Sequence, residues 1–312
     1  MRHVDAWRPP TTRQFRAPGG PMTDDDARPL PTGAPGVQLF PAPFEQVVAG
    51  LRAGIAALAA DEPFHRLAVA PVIARRTLEQ AGYVAAFPQL LGTVHSYQGT
   101  PAQWARLAPL VPDGGDWHRE QRIGDLVLLP AACYPVHASL AGRELAEPVR
   151  FAVEAACFRQ ELTAETGRLR SFRMAELVTA GTERHCLAWR ERWLGRVGDW
   201  LAGLGLRPAV EVADDPFFGR SARLYQAAQR MQQLKFELRV ELGPGLVQAV
   251  ASANIHKDHF GEAFGFTAEG APGQTACTAF GLERIALALL HAHGPRPSQW
   301  PDGLRGELGL DR

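Results

Sequence analysis

The chain has 312 residues, of which 46% are apolar, enough to bury a sizeable core in one large domain or two modest ones. Its 33 basic side chains balance 33 acidic ones, so no overall positive field draws it to nucleic acid, and no apolar run is long enough to cross a bilayer. The four cysteines (Cys133, Cys157, Cys186, Cys277) are dispersed, unlike a disulfide scaffold, and no charged segment followed by an apolar stretch opens the chain; the cytoplasm is the expected address.

Residues 1–36 read as a disordered N-terminal tail. They are rich in proline and glycine, carry Asp24-Asp25-Asp26, and show neither helical nor strand period. Met22 is an alternative start, and residues 37–312 are then the catalytic domain. Apolar residues at Val47, Leu51, Ile55 and Leu58 predict an amphipathic helix over 44–60. A second helix is expected over 71–80, with Pro71 in its first turn and Gly82 ending it. Residues 83–87 lead into Pro88, Pro101 after Thr100 starts a short helix, and 125–129 is a strand closed by Pro130.

The β-rich runs 151–161 and 170–178, joined by a polar turn containing Gly167, predict a long hairpin. The longest helix is expected over 182–204, with Cys186, Trp189, Trp193, Val197, Trp200 and Leu204 on one side; its tryptophans read as core. Strands follow at 208–212, 234–242 and 246–253, with a helix over 220–232 between the first two. A last strand, 275–280, runs into a last helix, 281–293, stopped by Gly294-Pro295. This order favours an α+β domain built on an antiparallel sheet flanked by helices.

Two separated segments carry the chemistry. Alternation puts Cys157, Arg159 and Glu161 on one face of the hairpin, and Phe172, Met174 and Glu176 on one face of its return strand. If the faces coincide, they offer a guanidinium for phosphate oxygens, a carboxylate for an exocyclic amine and a ring on which adenine stacks. The rival reading is a solvent-facing Arg/Glu ladder beside one core phenylalanine. Gly281 opens a helix directly after a strand, and Arg284 lies in its first turn, where a cation fails to complement the helix dipole unless an anion or base is near. The alternative there is a pair with a neighbouring acid.

These residues resemble the catalytic core of class II aminoacyl-tRNA synthetases, nearest to the seryl branch. Gly82-Tyr83 through Phe87-Pro88 resembles the dimer-forming first motif, the hairpin resembles the second, and Gly281-Leu282-Glu283-Arg284 resembles the third. Lys235-Phe236-Glu237-Leu238 looks like the lysine-containing strand of the seryl enzymes, and Ser252-Ala253-Asn254 like their serine-asparagine turn. Over residues 132–135, 157–161 and 253–261 the chain is more specifically similar to the amino acid:[carrier protein] ligases, truncated seryl-synthetase homologues. No heptads precede the core, so the long coiled coil with which seryl synthetases grip tRNA has no counterpart, and tRNA is not the expected partner.

The resemblance implies ATP-dependent activation of a small amino acid, glycine or alanine, and its transfer to the phosphopantetheine thiol of a holo carrier protein. Arg159 and Arg284 are the implied catalytic residues. Glu161, Arg168, Leu169, Phe172, Lys235, Gln248, Ala249, Val250 and Ala251 join them as the ATP site, used with Mg²⁺. Gln248 is a departure: the seryl enzymes carry a metal-contacting glutamate there. Cys133, Glu176 and Asn254 are implied on the amino acid, and Cys133, Glu176 and Cys277 as ligands of a Zn²⁺ with an open place for the amino group. The ordinary alternative is two buried thiols and a structural glutamate. Cys157 is the rival ligand, Cys186 reads as packing, and His256 and His259 are alternative ligands, a type that more often serves as caps or surface groups. A homodimer with Pro88 near the interface is expected, and membrane association is not. A seryl-like synthetase and a non-catalytic regulatory binder are the alternatives.

Overall fold

The computed structural model of the chain describes residues 26–161 and 165–311. Its centre is a seven-stranded sheet. In chain order the strands are β1 (His65–Ala68), β2 (Val149–Phe158), β3 (Ser171–Gly181), β4 (Ala209–Val212), β5 (Lys235–Gly243), β6 (Leu246–Lys257) and β7 (Gln274–Gly281). They lie in the order β4-β5-β6-β7-β3-β2-β1, antiparallel throughout except for the parallel pair β1–β2.

One face of this sheet is covered by three helices, α1 (Ala42–Leu58), α2 (Glu183–Gly203) and α4 (Leu282–His293). Phe44, Val47 and Leu51 of α1, Trp189, Trp193 and Val197 of α2, and Ile285 and Leu289 of α4 close over Leu177, Leu238 and Phe280 of the sheet in one apolar core. The predicted tryptophan side of α2 is therefore core, and Thr182 caps the helix by accepting from the His185 N–H. A third helix in chain order, α3 (Ala222–Met231), buries no residue.

Because side chains alternate along a strand, the residues between these core positions face the other way. Glu176 follows Ala175 and precedes Leu177, and Cys277 follows Ala276, so both belong to the opposite face. That face is covered by segments 83–90 and 131–134, whose Tyr83, Leu90, Ala132 and Cys133 pack with Val153, Ala155, Cys157, Val178 and Cys277.

Several expectations change in detail. Only Arg75–Gln80 of the expected 71–80 helix is helical; Val72–Ala74 is a strand, because β-branched Val72 and Ile73 pair with Val127 and Leu128. The expected 125–129 strand extends backwards to Gln121, paired along one side with Thr93–Tyr97. Of the stretch read as a tail, residues 1–25 lie outside the described residues. Residues 26–36 pack on the domain: Ala27 is buried and its N–H meets Pro295 O at 2.9 Å, and Leu30–Pro31 pairs with Gln38–Leu39. Among the described residues no helix is long and apolar enough to cross a membrane.

Candidate functional site

On the face away from the helices lies a cavity of about 240 Å³. Every candidate residue lines it except Arg168 and Gln248. Gln248 is buried and its Nε2 donates to Thr166 O at 2.7 Å, on the hairpin turn. Arg168 pairs with Glu161 at 3.1 Å and with Glu165.

The hairpin departs from simple alternation at its tip. β2 ends at Phe158, and the next residues leave the strand: the Gln160 N–H turns to Leu90 O at 3.0 Å. Arg159 and Glu161 reach the cavity from this irregular stretch, whereas Cys157, paired with Phe172, is buried within the strand on the same sheet face and does not itself line the cavity. The Arg159 N–H still bonds Arg170 O at 2.9 Å, so Arg159 keeps the side of Cys157 and Phe172, and the strand pattern is lost only beyond it. On the return strand the alternation holds, and Phe172, Met174 and Glu176 all line the cavity.

Arg159 lies with its guanidinium carbon 5.5 Å from the centre of the Phe172 ring and donates from Nε to Pro130 O at 3.0 Å. Arg284 donates from Nε to Gly167 O at 2.8 Å and from Nη1 to Ala249 O at 3.0 Å. Among the described residues neither makes an ion pair. The acid beside Arg284 goes elsewhere: Glu283 accepts from Arg173 N at 2.8 Å and from Arg173 Nε at 2.6 Å, and Arg173 in turn holds Glu45 of α1. Burial pulls the pKa of the Arg284 guanidinium down from its usual value, with Glu161 opposing and the charges of Arg159 and Arg168 adding to it.

Lys235 faces two acids, Asp215 Oδ1 at 2.6 Å and Glu237 Oε1 at 3.6 Å. Burial pushes the Asp215 carboxyl up, yet Lys235 outweighs it and holds the group below the ordinary carboxylate range. Asp215 had no signal in the sequence beyond its charge. It enters on the 214–219 strap, which is fastened to the rim: Gln89 Nε2 donates to Pro216 O at 2.6 Å, and the Phe217 ring stacks on Phe87 at 5.1 Å. Gln229 of α3 brackets Asp215, accepting from its N–H at 2.7 Å and donating to Oδ2 at 2.8 Å.

Cys133, Glu176 and Cys277 meet at the floor. The Cys133 N–H donates to Glu176 Oε1 at 3.1 Å, and the two thiols lie close enough to perturb each other's ionisation. Cys277 Sγ also receives Asn254 Nδ2 at 3.3 Å and faces His256 Nε2 at 3.6 Å, while His256 Nδ1 engages Thr275 Oγ1 at 2.9 Å. Asn254 lies inside β6 rather than in a turn, paired opposite Cys277. Burial, then the Cys277 sulfur, lifts the Glu176 carboxyl to about 8. Of the two thiols, Cys277 is the one pulled down, by the Cys133 thiol and by the donors around it. As the side chains lie, no group of three or more His, Cys, Asp or Glu among the described residues is arranged to hold a metal ion. The expected zinc therefore lacks support from position: the three donors converge at the floor, but not as a ligand shell.

No known protein-family profile matches the chain. It is 40% identical over 282 residues to amino acid–[acyl-carrier-protein] ligase 1 of Bradyrhizobium diazoefficiens, covering 89% of this chain and 86% of that protein. Ligase 2 of the same organism is 39% identical over 89% of this chain and 84% of its own length. Among solved structures, the seryl-tRNA synthetase of M. kandleri, in complex with A. aeolicus tRNASec, superposes with a TM-score of 0.74 at 20% identity over 89% of this chain. The chain spans 57% of that synthetase, a likeness that shows the fold: the class II synthetase-like α+β sheet flanked by helices. By its likeness to the two ligases over nearly their whole length, the chain belongs to the amino acid–[acyl-carrier-protein] ligase family and is a ligase.

Proposed function

We propose that the chain activates a small amino acid, glycine or alanine, with ATP and passes it to the phosphopantetheine thiol of a holo carrier protein. One observation carries this reading. Two guanidinium groups that make no ion pair among the described residues, Arg159 and Arg284, open onto the same cavity as the Cys133–Glu176–Cys277 cluster. In the first step a carboxylate oxygen of the amino acid bonds to the α-phosphorus and pyrophosphate leaves. In the second the thiol sulfur bonds to the acyl carbon and AMP leaves.

Arg159 and Arg284 face the charge that develops on the phosphate oxygens. Phe172 offers its ring to adenine, Glu161 accepts from the exocyclic amine, and Leu169 with residues 249–251 frames the base and ribose. Lys235 adds positive charge at the triphosphate, which enters with Mg²⁺. Arg168 and Gln248 support the hairpin turn.

Cys133, Glu176 and Cys277 are the residues that would hold zinc, and their donor chemistry, two sulfurs and one carboxylate, suits it. When bound, zinc supplies a Lewis-acid position for the substrate amino group. Asn254 and His256 orient the Cys277 sulfur from outside that set.

The carrier is proposed to dock on α3. Leu224, Tyr225 and Met231 expose 69, 55 and 86% of their surface, beside an exposed Arg223, on the helix whose Gln229 lines the cavity. This apolar and basic face suits a carrier with an acidic rim. A homodimer with Pro88, which is exposed, near its interface completes the reading.

Amino-acid-dependent ATP–pyrophosphate exchange, screened over the standard amino acids, is the test. Exchange is expected with glycine or alanine, and AMP release is expected on adding holo carrier but not apo carrier or tRNA. Exchange with no amino acid refutes activation; charging of tRNA moves the chain to the synthetase reading. Metal analysis of wild type and Cys277→Ser tests the zinc: bound zinc retained at full occupancy in the variant removes Cys277 from the set.

A further inference from the structure

The segment that resembles a dimerisation motif also supplies a cavity wall. Gly82 takes a left-handed φ of 72° and turns the chain into the short helix Tyr83–Ala86. That turn directs Tyr83 inward. Its ring is held edge-on against Tyr134 at 5.5 Å and tilted against Phe87 at 5.2 Å, and the residue is 5% exposed.

The hydroxyl of this clamped ring is buried and has no hydrogen-bond partner among the described residues. Other buried polar atoms share that condition, but Tyr83 is the one among them that lines the cavity. A buried donor left without an acceptor is costly, so a folded protein keeps one where a ligand completes it. Burial raises the Tyr83 pKa to about 12, with Arg159 opposing and Glu161 and Asp215 adding to it. The group is therefore a neutral donor across the physiological range. It shares the cavity lining with Arg159 and with Asp215 of the strap.

We propose that the Tyr83 hydroxyl is a substrate-binding group, donating its hydrogen bond to an anionic phosphate oxygen of the aminoacyl adenylate beside Arg159. This rests on the activation reading above. It assigns Tyr83 a role that resemblance to a dimer motif does not supply.

Tyr83→Phe tests it, because the variant keeps the ring and removes only the oxygen. The melting temperature of the free protein should stay level or rise, since no bond inside the fold is lost. Exchange kcat/KM for the accepted amino acid should fall about 10- to 100-fold, the worth of one hydrogen bond to an ionised group. The melting shift produced by a non-hydrolysable aminoacyl-sulfamoyl adenosine should shrink with it. Exchange and ligand-induced shift both within twofold of wild type would overturn the proposal. So would a large drop in the melting temperature of the free variant, which marks a hydroxyl bonded inside the fold through water. Wild-type protein that exchanges with no amino acid defeats the activation reading, and this proposal falls with it; an active wild type with an unchanged variant defeats the proposal alone.

Discussion

Replacing Arg284 with lysine keeps the charge and removes the geometry. In the free protein the guanidinium joins the hairpin turn to strand β6, through Gly167 O at 2.8 Å and Ala249 O at 3.0 Å, and on the proposed function its remaining N–H groups serve a phosphate. An ammonium is a single point of donors and cannot span both carbonyls while presenting a planar fork to a nucleotide. At least one hydrogen bond from a charged donor is lost without replacement, worth about 1.5–3 kcal/mol, together with the second arm of the phosphate contact. A combined loss of about 3–4 kcal/mol in the transition state corresponds to about 10²- to 10³-fold in kcat/KM. Pyrophosphate exchange at saturating amino acid, with ATP varied, should therefore show Arg284→Lys down by that factor, in kcat as well as in KM for ATP. A variant within about threefold of wild type, folded by circular dichroism and calorimetry, would refute the reasoning; it would mean that the carbonyl contacts are structural and no nucleotide oxygen is reached.

Gly167→Ala tests the carbonyl that steadies Arg284. At φ +81° its Cβ would lie 2.7 Å from Leu242 Cδ2 and 2.8 Å from Gln248 Oε1, so urea unfolding should show a loss of about 1–2 kcal/mol and the KM for ATP should rise. Asp215→Asn tests the strap. A carboxyl held below its unfolded value stabilises the fold above that value, 3.8, and loses its contribution as pH falls through the lower folded one. The stability gap between wild type and Asp215→Asn should be full above pH 3.8 and close below it; a gap that instead widens in acid contradicts the pairing with Lys235. Met231→Glu, at a position 86% exposed, should leave the melting temperature in place and raise the KM for holo carrier about tenfold in the transfer assay, which unchanged transfer kinetics would disprove.

Local rules carried much of the fold. The tryptophan side of α2, the hairpin and the strand-to-helix step at Gly281 follow from periodicity and punctuation, and they place Glu176, Cys277 and Arg284 within a turn of where the structure has them. What failed did so where long-range pairing overrides local preference. Residues 72–74 read as helix because Pro71 and the downstream run suit one, but three hydrogen-bonded partners on the 121–128 strand make them β. Arg159 lies one residue past the end of its strand, yet its N–H still bonds Arg170 O at 2.9 Å and it stays on the side that alternation gives it. Asp215 and Tyr83 were out of reach for a different reason. Each owes its role to an enclosure made by segments remote in sequence, and neither type nor spacing marks it.

The contrast between Glu283 and Arg284 shows how the site keeps cations free in a protein of zero net charge. Adjacent residues in the first turn of a helix point about 100° apart. Glu283 takes the inward direction and is consumed by Arg173, which also reaches Glu45, so that α4, β3 and α1 are fixed to one another around a single guanidinium. Arg284 takes the other direction and meets only backbone carbonyls. The nearest acid being committed, the guanidinium cannot be neutralised from within its own helix, and the burial that lowers its pKa sharpens its need for an anion. Arg159 is kept free by the same device, its Nε on Pro130 O and its face on Phe172. Among the described residues the cavity leaves two cations out of ion pairs while Asp215, Glu161 and Glu283 are paired elsewhere, and that local arrangement, rather than any global charge, is what suits it to the polyphosphate of the proposed function.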